Sequence, residues 1–228
     1  MTHSPDAHEL AEVATELQDE APENTTDAIV RRALEFIPHA GHVSLTVKAR
    51  GRRHQTLAAT SDLAVELDHS QYELGEGPCV DSADLGEWFR SGDAGNDRRW
   101  PRWGPQAARL GASSLLSIRL LSQGEPVGAL NLYSEQAGMF ADPDEVEAAL
   151  LFATHAAHAL VSARLVTDLE NALVSRHQIG VAQGIIMQRY GISLDDSFSV
   201  LRRQSQDLNL KLREIARQRP ISHGQLGG

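Results

Sequence analysis

The chain has 228 residues, 21 Lys and Arg against 31 Asp and Glu, and a formal net charge of −10. That length accommodates one large or two modest domains, each with its own core, and the apolar and charged fractions are those of an ordinary globular protein. The acidic balance argues against an indiscriminate nucleic-acid binder, because phosphate contacts need Lys and Arg.

Leu10, Val13 and Leu17 stand at helical spacing, so the chain is expected to begin with a short amphipathic helix that Ala21-Pro22-Glu23-Asn24 breaks. Thr25 or Thr26 is placed to cap a second helix running through Phe36, with Ile29, Ala33 and Phe36 on one face. From His42 the texture changes to alternation. Val43, Leu45 and Val47 against Ser44, Thr46 and Lys48 read as a half-buried strand. Arg50-Gly51-Arg52-Arg53 reads as a turn, and 55–60 as the returning strand. Residues 75–103, with clustered Gly, Asp, Asn and Pro, read as loop. Two strands follow, 113–121 and 126–133, joined by a hairpin turn at Ser122-Gln123-Gly124-Glu125.

Asp142-Pro143-Asp144-Glu145 is a helix start, with Asp142 as N-cap, Pro143 at N1 and Glu145 able to reach back as in a capping box. Val146, Leu150, Ala153, Ala157, Val161, Leu165 and Leu169 advance by three or four residues, a seam able to dock on a sheet early and pair with a partner helix later. No Pro or turn cluster interrupts the pattern before Tyr190, so a continuous helical connector is expected, closed by Gly191. Ser193 should cap a second tail helix with Phe198, Leu201 and Val200 inward, and Asn209 a third with Leu212, Ile215 and Ala216 inward, ended by Pro220. Gly180 and Gly184, four apart in the first of these helices, each cost about 1 kcal/mol relative to alanine. They suggest close approach of another helix or of a phosphate backbone.

No uninterrupted apolar run reaches the roughly 18 residues that span a bilayer. The N-terminus lacks the basic and apolar regions of a signal peptide. The single cysteine, Cys79, excludes an internal disulfide and fits a reducing compartment. A cytoplasmic protein without membrane attachment is expected. Charge is uneven along the chain. From Val166 onward Arg and Lys occupy 176, 189, 202, 203, 211, 213, 217 and 219, against acids at 168, 170, 195, 196, 207 and 214. The tail is therefore +2 and the remainder −12. A mildly basic module on an acidic carrier suits selective binding of a defined RNA, although a solvated helical surface has the same charge.

The stretch Asn171-Ala-Leu-Val-Ser-Arg-His-Gln-Ile-Gly-Val-Ala-Gln-Gly-Ile-Ile-Met-Gln-Arg-Tyr190-Gly191, followed by Ser205-Gln-Asp-Leu-Asn-Leu-Lys-Leu-Arg-Glu-Ile-Ala216, resembles an ANTAR domain, a small RNA-binding bundle of bacterial antitermination regulators. Residues 27–164 resemble a GAF domain, used for sensing small molecules and for dimerisation. That likeness is carried by Tyr72-Glu-Leu-Gly-Glu-Gly-Pro-Cys79, Asp97-Arg-Arg-Trp-Pro-Arg-Trp103 and Gly128-Ala-Leu-Asn-Leu-Tyr133. Glu87-Trp-Phe-Arg-Ser-Gly-Asp93 matches that pattern more weakly. The resemblance implies an α+β GAF domain, an antiparallel sheet flanked by helices, followed by an all-α three-helix ANTAR bundle and joined by a long helical connector. It divides the chain into an N-terminal helical segment, 1–24, a sensor domain, 25–164, and an RNA-binding domain, 165–228.

Arg176, Gln183, Arg189, Arg202, Arg203, Lys211 and Arg213 are the candidate RNA contacts, since Arg bonds phosphate or guanine bidentately and stacks on unpaired bases. Tyr190 could stack a loop base, and Ser205 and Asn209 join the set through the resemblance. Each alone reads as well as an exposed or capping helix residue. Tyr72, Cys79, Trp100 and Trp103 are candidates for a ligand pocket, although the tryptophans, among Arg98, Arg99 and Arg102, could equally close a core. Cys79 could be a redox sensor if its pKa were lowered, or a buried inert thiol. No phosphate-binding loop of P-loop or Rossmann spacing is present. His155 and His158 lack a third metal ligand at suitable spacing, and Asp81 and Asp84 read as turn or cap acids. No catalytic constellation, metal or cofactor is expected.

The expected function is therefore transcription antitermination. The ANTAR bundle would bind paired stem-loops in nascent RNA, in a homodimer that a coiled-coil connector holds, under control of an unidentified small molecule at the GAF domain. Two alternatives stay open: a small-molecule or redox sensor whose helical tail serves dimerisation or protein docking, and a DNA-binding regulator. The latter lacks a helix-turn-helix recognition pattern.

Overall fold

The computed structural model describes residues 7–48 and 54–218, which fall into two compact units, Met1–Arg164 and Leu165–Gly228. The Arg50–Arg53 turn and the Pro220 helix stop lie outside the described residues.

The first unit is built on a five-stranded antiparallel sheet in the order β2-β1-β5-β4-β3, from β1 (His42–Lys48), β2 (His54–Ala59), β3 (Phe89–Ser91), β4 (Ser114–Ser122) and β5 (Glu125–Ser134). The β4–β5 turn has Gln123 at φ 52° and Gly124 at φ 85°, the two left-handed positions that a twisted hairpin demands. Alternation along the strands sorts their side chains. Val43, Leu45 and Val47 join Leu116, Ile118, Leu120, Leu130 and Leu132 in an apolar layer. Helices α1 (Ala7–Asp19) and α2 (Thr25–Phe36) contribute Leu17, Ile29, Val30 and Ala33 to that layer, and Phe36 stacks on Phe152 with ring centres 5.6 Å apart. Asn24, not Thr25 or Thr26, is the N-cap of α2; Thr25 lies inside the helix and donates its hydroxyl back to Ala21 O.

The half-buried reading of β1 is corrected. Ser44 and Thr46 are as buried as their apolar neighbours, because helices cover the second face of the sheet too. That cover comes from α3 (Asp62–Leu74), α4 (Pro78–Leu85) and α5 (Trp103–Leu110). The loop expected over 75–103 instead contains α4, β3 and a short 3-10 turn, Ala94–Asn96. The glycines and prolines that read as loop are helix punctuation. Gly75 and Gly86 end α3 and α4 in the left-handed region, and Pro78 opens α4.

Helix α6 (Pro143–Tyr190) is 48 residues long and continuous, as the uninterrupted pattern predicts. Asp142 caps it, its carboxylate accepting from Asp144 N at 3.0 Å. Glu145 does not complete a capping box; its buried carboxylate faces His39 Nδ1 at 3.2 Å. Ala149, Phe152, Ala153, Ala156, Ala157 and Leu160 pack into the apolar layer. Although charged residues interrupt its apolar pattern, α6 could cross a membrane by length and composition, but 44% of its most apolar window is buried in the protein.

The second unit comprises the end of α6, α7 (Leu194–Asp207) and α8 (Leu212–Arg217) around Ala182, Ile186, Leu201, Ile215 and Ala216. Gly191 follows α6 at φ 64°, and Ser193 caps α7 by accepting from Asp196 N at 3.1 Å. Two expectations are overturned here. Phe198 is exposed, while Leu201 is buried and Val200 packs against the core as expected, with Ser197 buried beside them. Asn209 is not a cap: it takes φ 51° in the α7–α8 connection, and Lys211 is the N-cap of α8, its backbone N–H donating to Glu214 at 3.2 Å.

Gly128 in β5 shows how closely the central strands approach. A Cβ built there would lie 2.2 Å from Thr46 O of β1. Gly128→Ala is expected to destabilise the first unit by about 2 kcal/mol or more, since two paired strands must separate to admit a methyl group. Urea unfolding measures this; an unchanged midpoint would show that the strands move apart freely.

Candidate functional site

On the helix-covered face of the sheet the polar positions of four strands converge. Ser44 and Thr46 of β1, Thr56 of β2, Ser117 of β4, and Asn131 and Tyr133 of β5 share that face, with Asp68 and Tyr72 of α3 above them. Asp68 is fully buried, and its hydrogen-bond partners are neutral. One carboxylate oxygen accepts from Ser44 Oγ at 2.9 Å and Tyr133 OH at 2.8 Å, the other from Thr56 Oγ1 at 2.7 Å and Thr46 Oγ1 at 3.3 Å. Asn131 Nδ2 donates to Ser44 Oγ and Thr46 Oγ1, and its carbonyl accepts from Ser117 Oγ at 2.7 Å. The Tyr72 hydroxyl lies 2.9 Å from both Thr46 Oγ1 and Thr56 Oγ1. An unpaired carboxylate costs several kcal/mol to bury, and a cage of hydroxyl donors is what offsets it.

The titration behaviour follows this geometry. Burial pushes the Asp68 carboxyl up, against the pull of its hydroxyl donors. Burial, and next the charge of Asp68, push the Tyr72, Tyr133 and Cys79 groups up as well. Cys79 is thus a protonated, inaccessible thiol, the reverse of an activated one. Its backbone N–H donates to Gln71 Oε1 at 2.8 Å, and Gln71 Nε2 donates to Tyr133 OH at 3.0 Å. Gly77 makes this possible: a Cβ there would sit 2.3 Å from Gln71 Oε1, and φ is +143°.

The motifs that carry the sequence likeness are fasteners around this network. Glu76 accepts from the backbone N–H groups of Arg102 and Trp103 at 2.7 and 2.9 Å and from Arg102 Nε at 2.9 Å, tying the α3–α4 turn to the start of α5. Burial opposes, but these donors hold its carboxyl below the usual range. Asp97 is held at about 2, first by the Arg99 guanidinium, which also lies over the Trp100 ring at 4.4 Å. Trp100 Nε1 donates to Asp81, and Trp103 Nε1 to Ser70 Oγ. Both indoles are fully buried, edge to face at 6.1 Å, among Ala64, Leu67, Ala107 and Leu115. Tyr72 and Cys79 border the polar network and the tryptophans form the adjoining core, so the four ligand-pocket candidates lie around one packed interior. Asp68, its centre, carries no local sequence signal. The signal is distributed: Ser44 and Thr46 in β1, and Asn131 and Tyr133 in β5, alternate with aliphatic residues and so fall on one face.

The second unit distributes its candidates differently. Arg176, Arg189 and Tyr190 of α6, Arg202 and Arg203 of α7, and Lys211 and Arg213 at the start of α8 are all on the surface. Arg203 Nε stands 4.0 Å from Asp207 one turn on. Gln183 bridges helices instead, its amide donating to Leu194 O at 3.2 Å, and Ser205 Oγ donates to Leu210 O at 2.5 Å across the α7–α8 connection. Gly180 and Gly184 face open space, with no atom within 4 Å of a Cβ at either, so no helix of the unit uses them for close packing.

The sequence profile of the GAF domain family matches residues 19–161, and that of the ANTAR domain matches 167–218. The chain belongs to the GAF domain family and carries an ANTAR domain. In this GAF–ANTAR protein the first is a sensor domain and the second an RNA-binding antitermination domain, and both are regulatory types. No curated protein is similar enough to match. Among solved structures, the GAF domain of a phosphoenolpyruvate-protein phosphotransferase from Coxiella burnetii is similar at 20% identity and TM-score 0.56, over 70% of this chain and 94% of that one. The corresponding domain from Acinetobacter is similar at 12% and 0.54, over 70% and 94%. A free methionine-R-sulfoxide reductase from Neisseria meningitidis, solved with its substrate, is similar at 15% and 0.50, over 69% and 89%. At such identities the likeness is one of fold.

The buried carboxylate sets a pH dependence. A group whose folded pKa is raised holds its proton more tightly when folded, so its stabilising contribution is complete below the ordinary aspartate value, about 4, and is lost as pH rises through the raised value. The unfolding free energy of the wild type minus that of Asp68→Asn is therefore expected to fall with rising pH across that window and to level off above it. Urea titrations at stepped pH measure the difference; a flat or rising difference would remove burial as the dominant cause.

Proposed function

We propose that the protein is an RNA-binding transcription antitermination regulator in which the ANTAR bundle grips paired stem-loops of a nascent transcript and the GAF domain senses a signal. The observation that carries this reading is the ANTAR match at 167–218 over a bundle whose arginines are on the surface and whose core is aliphatic. Residues 1–24 serve as an N-terminal helical segment, 25–164 as the sensor and 165–228 as the RNA-binding domain. Arg176, Arg189, Arg202, Arg203, Lys211 and Arg213 contact phosphates or bases, Tyr190 stacks a loop base, and Gln183, Ser205 and Asn209 hold the elements that present them. The protein acts in the cytoplasm and as a regulator, not an enzyme; burial of Cys79 speaks against the redox-sensor alternative.

It acts as a homodimer. Leu165, Val166, Leu169, Leu173 and Val174 are all exposed within ten residues of α6, Leu173 at 67%. Leu165, Leu169 and Leu173 recur every four residues, the spacing of a helix seam that a second copy covers. Two bundles then meet two RNA loops, and bivalency raises affinity without a strongly basic surface.

Titration into a labelled RNA carrying two adjacent stem-loops tests the RNA reading. Binding is expected to be salt-sensitive, weaker for a single hairpin, and weaker in Arg202→Ala/Arg203→Ala, whose salt slope falls by roughly one for each phosphate that is no longer neutralised. Equal affinity for duplex DNA, or no binding at all, would sink it in favour of a sensor with a protein-docking tail. Leu169→Glu/Leu173→Glu is expected to halve the molar mass seen by light scattering and to remove the two-loop advantage. A variant that keeps the wild-type mass would show that the seam is not the dimer contact.

A further inference from the structure

The second unit contains only two aromatic residues of the Phe, Trp and Tyr class, Tyr190 and Phe198, and neither belongs to its core. That core is assembled from Ala182, Ile186, Leu201, Ile215 and Ala216, with Ile179, Ile192, Val200 and Leu212 packed around it. Aromatic rings bury the largest apolar area of any side chain and normally go inside. Here Phe198 keeps 39% of its surface in solvent and Tyr190 keeps 50%, on either side of the turn between α6 and α7. Each has an exposed arginine close by: Arg189 precedes Tyr190, and Arg202 stands one helical turn after Phe198 on the same side of α7. Leu194, one turn before Phe198, is also exposed and extends its apolar flank.

We infer that Phe198 is a base-stacking residue, taking an unpaired base of an RNA loop on its exposed ring face while Arg202 bonds the neighbouring phosphate. The inference rests on the RNA-binding reading above and adds to it a residue and a ligand class. Unpaired bases are recognised by stacking on aromatic faces and arginine planes, and the stack tolerates any base because every base has a π-face. A second copy of the chain fits this position less well. Around Phe198 the exposed surface of α7 is one aliphatic residue, Leu194, among Asp195, Asp196, Ser199, Arg202 and Arg203, whereas the stripe from Leu165 to Val174 has five exposed aliphatics within ten residues. A polar surface holding one ring with an arginine one turn away suits a stacked base and its phosphate better than an apolar helix.

The test uses the full chain and an RNA of two adjacent stem-loops with 2-aminopurine substituted in turn at each loop position. Wild type is expected to quench one or more loop positions on binding. Phe198→Ala should weaken binding by roughly tenfold, within the range alanine substitution gives for a stacked base, and abolish the quench at one position. Phe198→Trp should retain both. Phe198→Leu, apolar but without a π-face, should behave like the alanine variant, which separates stacking from mere packing. Circular dichroism melting and light scattering should be unchanged in all three variants. Wild-type affinity in Phe198→Ala, full rescue by leucine, or a change in molar mass would overturn the stacking role and leave the RNA reading standing. Failure of the wild type to bind the RNA would overturn both.

Discussion

Burying a carboxylate without a cation beside it obliges the surrounding chain to supply donors, and that obligation organises the first unit. Asp68 draws hydroxyls from β1, β2 and β5, so α3 can dock in only one register against the sheet. The same donors are held in turn by Asn131, which Ser117 of β4 fixes. Four of the five strands are therefore cross-linked on the face where aliphatic packing would have been less selective. The interior is occupied as a result. Cavities of about 380 and 400 Å³ open elsewhere, along β2 and the outer side of α3, lined by Asp62, Val65 and His69 among others. A molecule entering the polar face would have to replace bonds already made, which sets a high threshold for any signal received there.

The two units divide the charge and the chemistry. The first carries all of the net negative charge, and some of its acids tie elements together, as Asp84 does with Lys48 and His54. The second holds its small core with aliphatic residues and leaves arginines and aromatics outside. Helix α6 belongs to both units and changes character along its length, from alanines and Phe152 in the sheet-packed part to exposed leucines from Leu165 onward. The same apolar seam is buried against the sheet in its first part and faces solvent in its second.

Local rules are enough to read much of this from residues alone. Asp142, Ser193 and Gly191 occupy the ends they signal because capping depends on neighbours a few positions away. The strands of the β4–β5 hairpin are equally legible from alternation and Gly124. What escapes depends on distant partners. The polar side of β1 looks solvated until α3 covers it, and Glu145 looks like half of a capping box until His39, 106 residues earlier, claims it. Residues 75–103 look like loop because α4 has only eight residues and is bounded by Gly77-Pro78 and Gly86. Phe198 looks like core by type, but the bundle fills its interior with Ile and Leu from three helices. Asp68 is invisible in sequence, since its partners are spread over nearly ninety positions.

The placement of Cys79 gives the molecule a built-in clock for its own opening. The chain has one sulfhydryl, fully buried beside the polar network and out of reach of solvent until the packing around it opens. Reagents that alkylate thiols are therefore gated by that local opening, and the rate of labelling counts how often the sensor interior is exposed to water. Anything that tightens or loosens the interior changes that frequency, with no engineered probe and no knowledge of what the signal is.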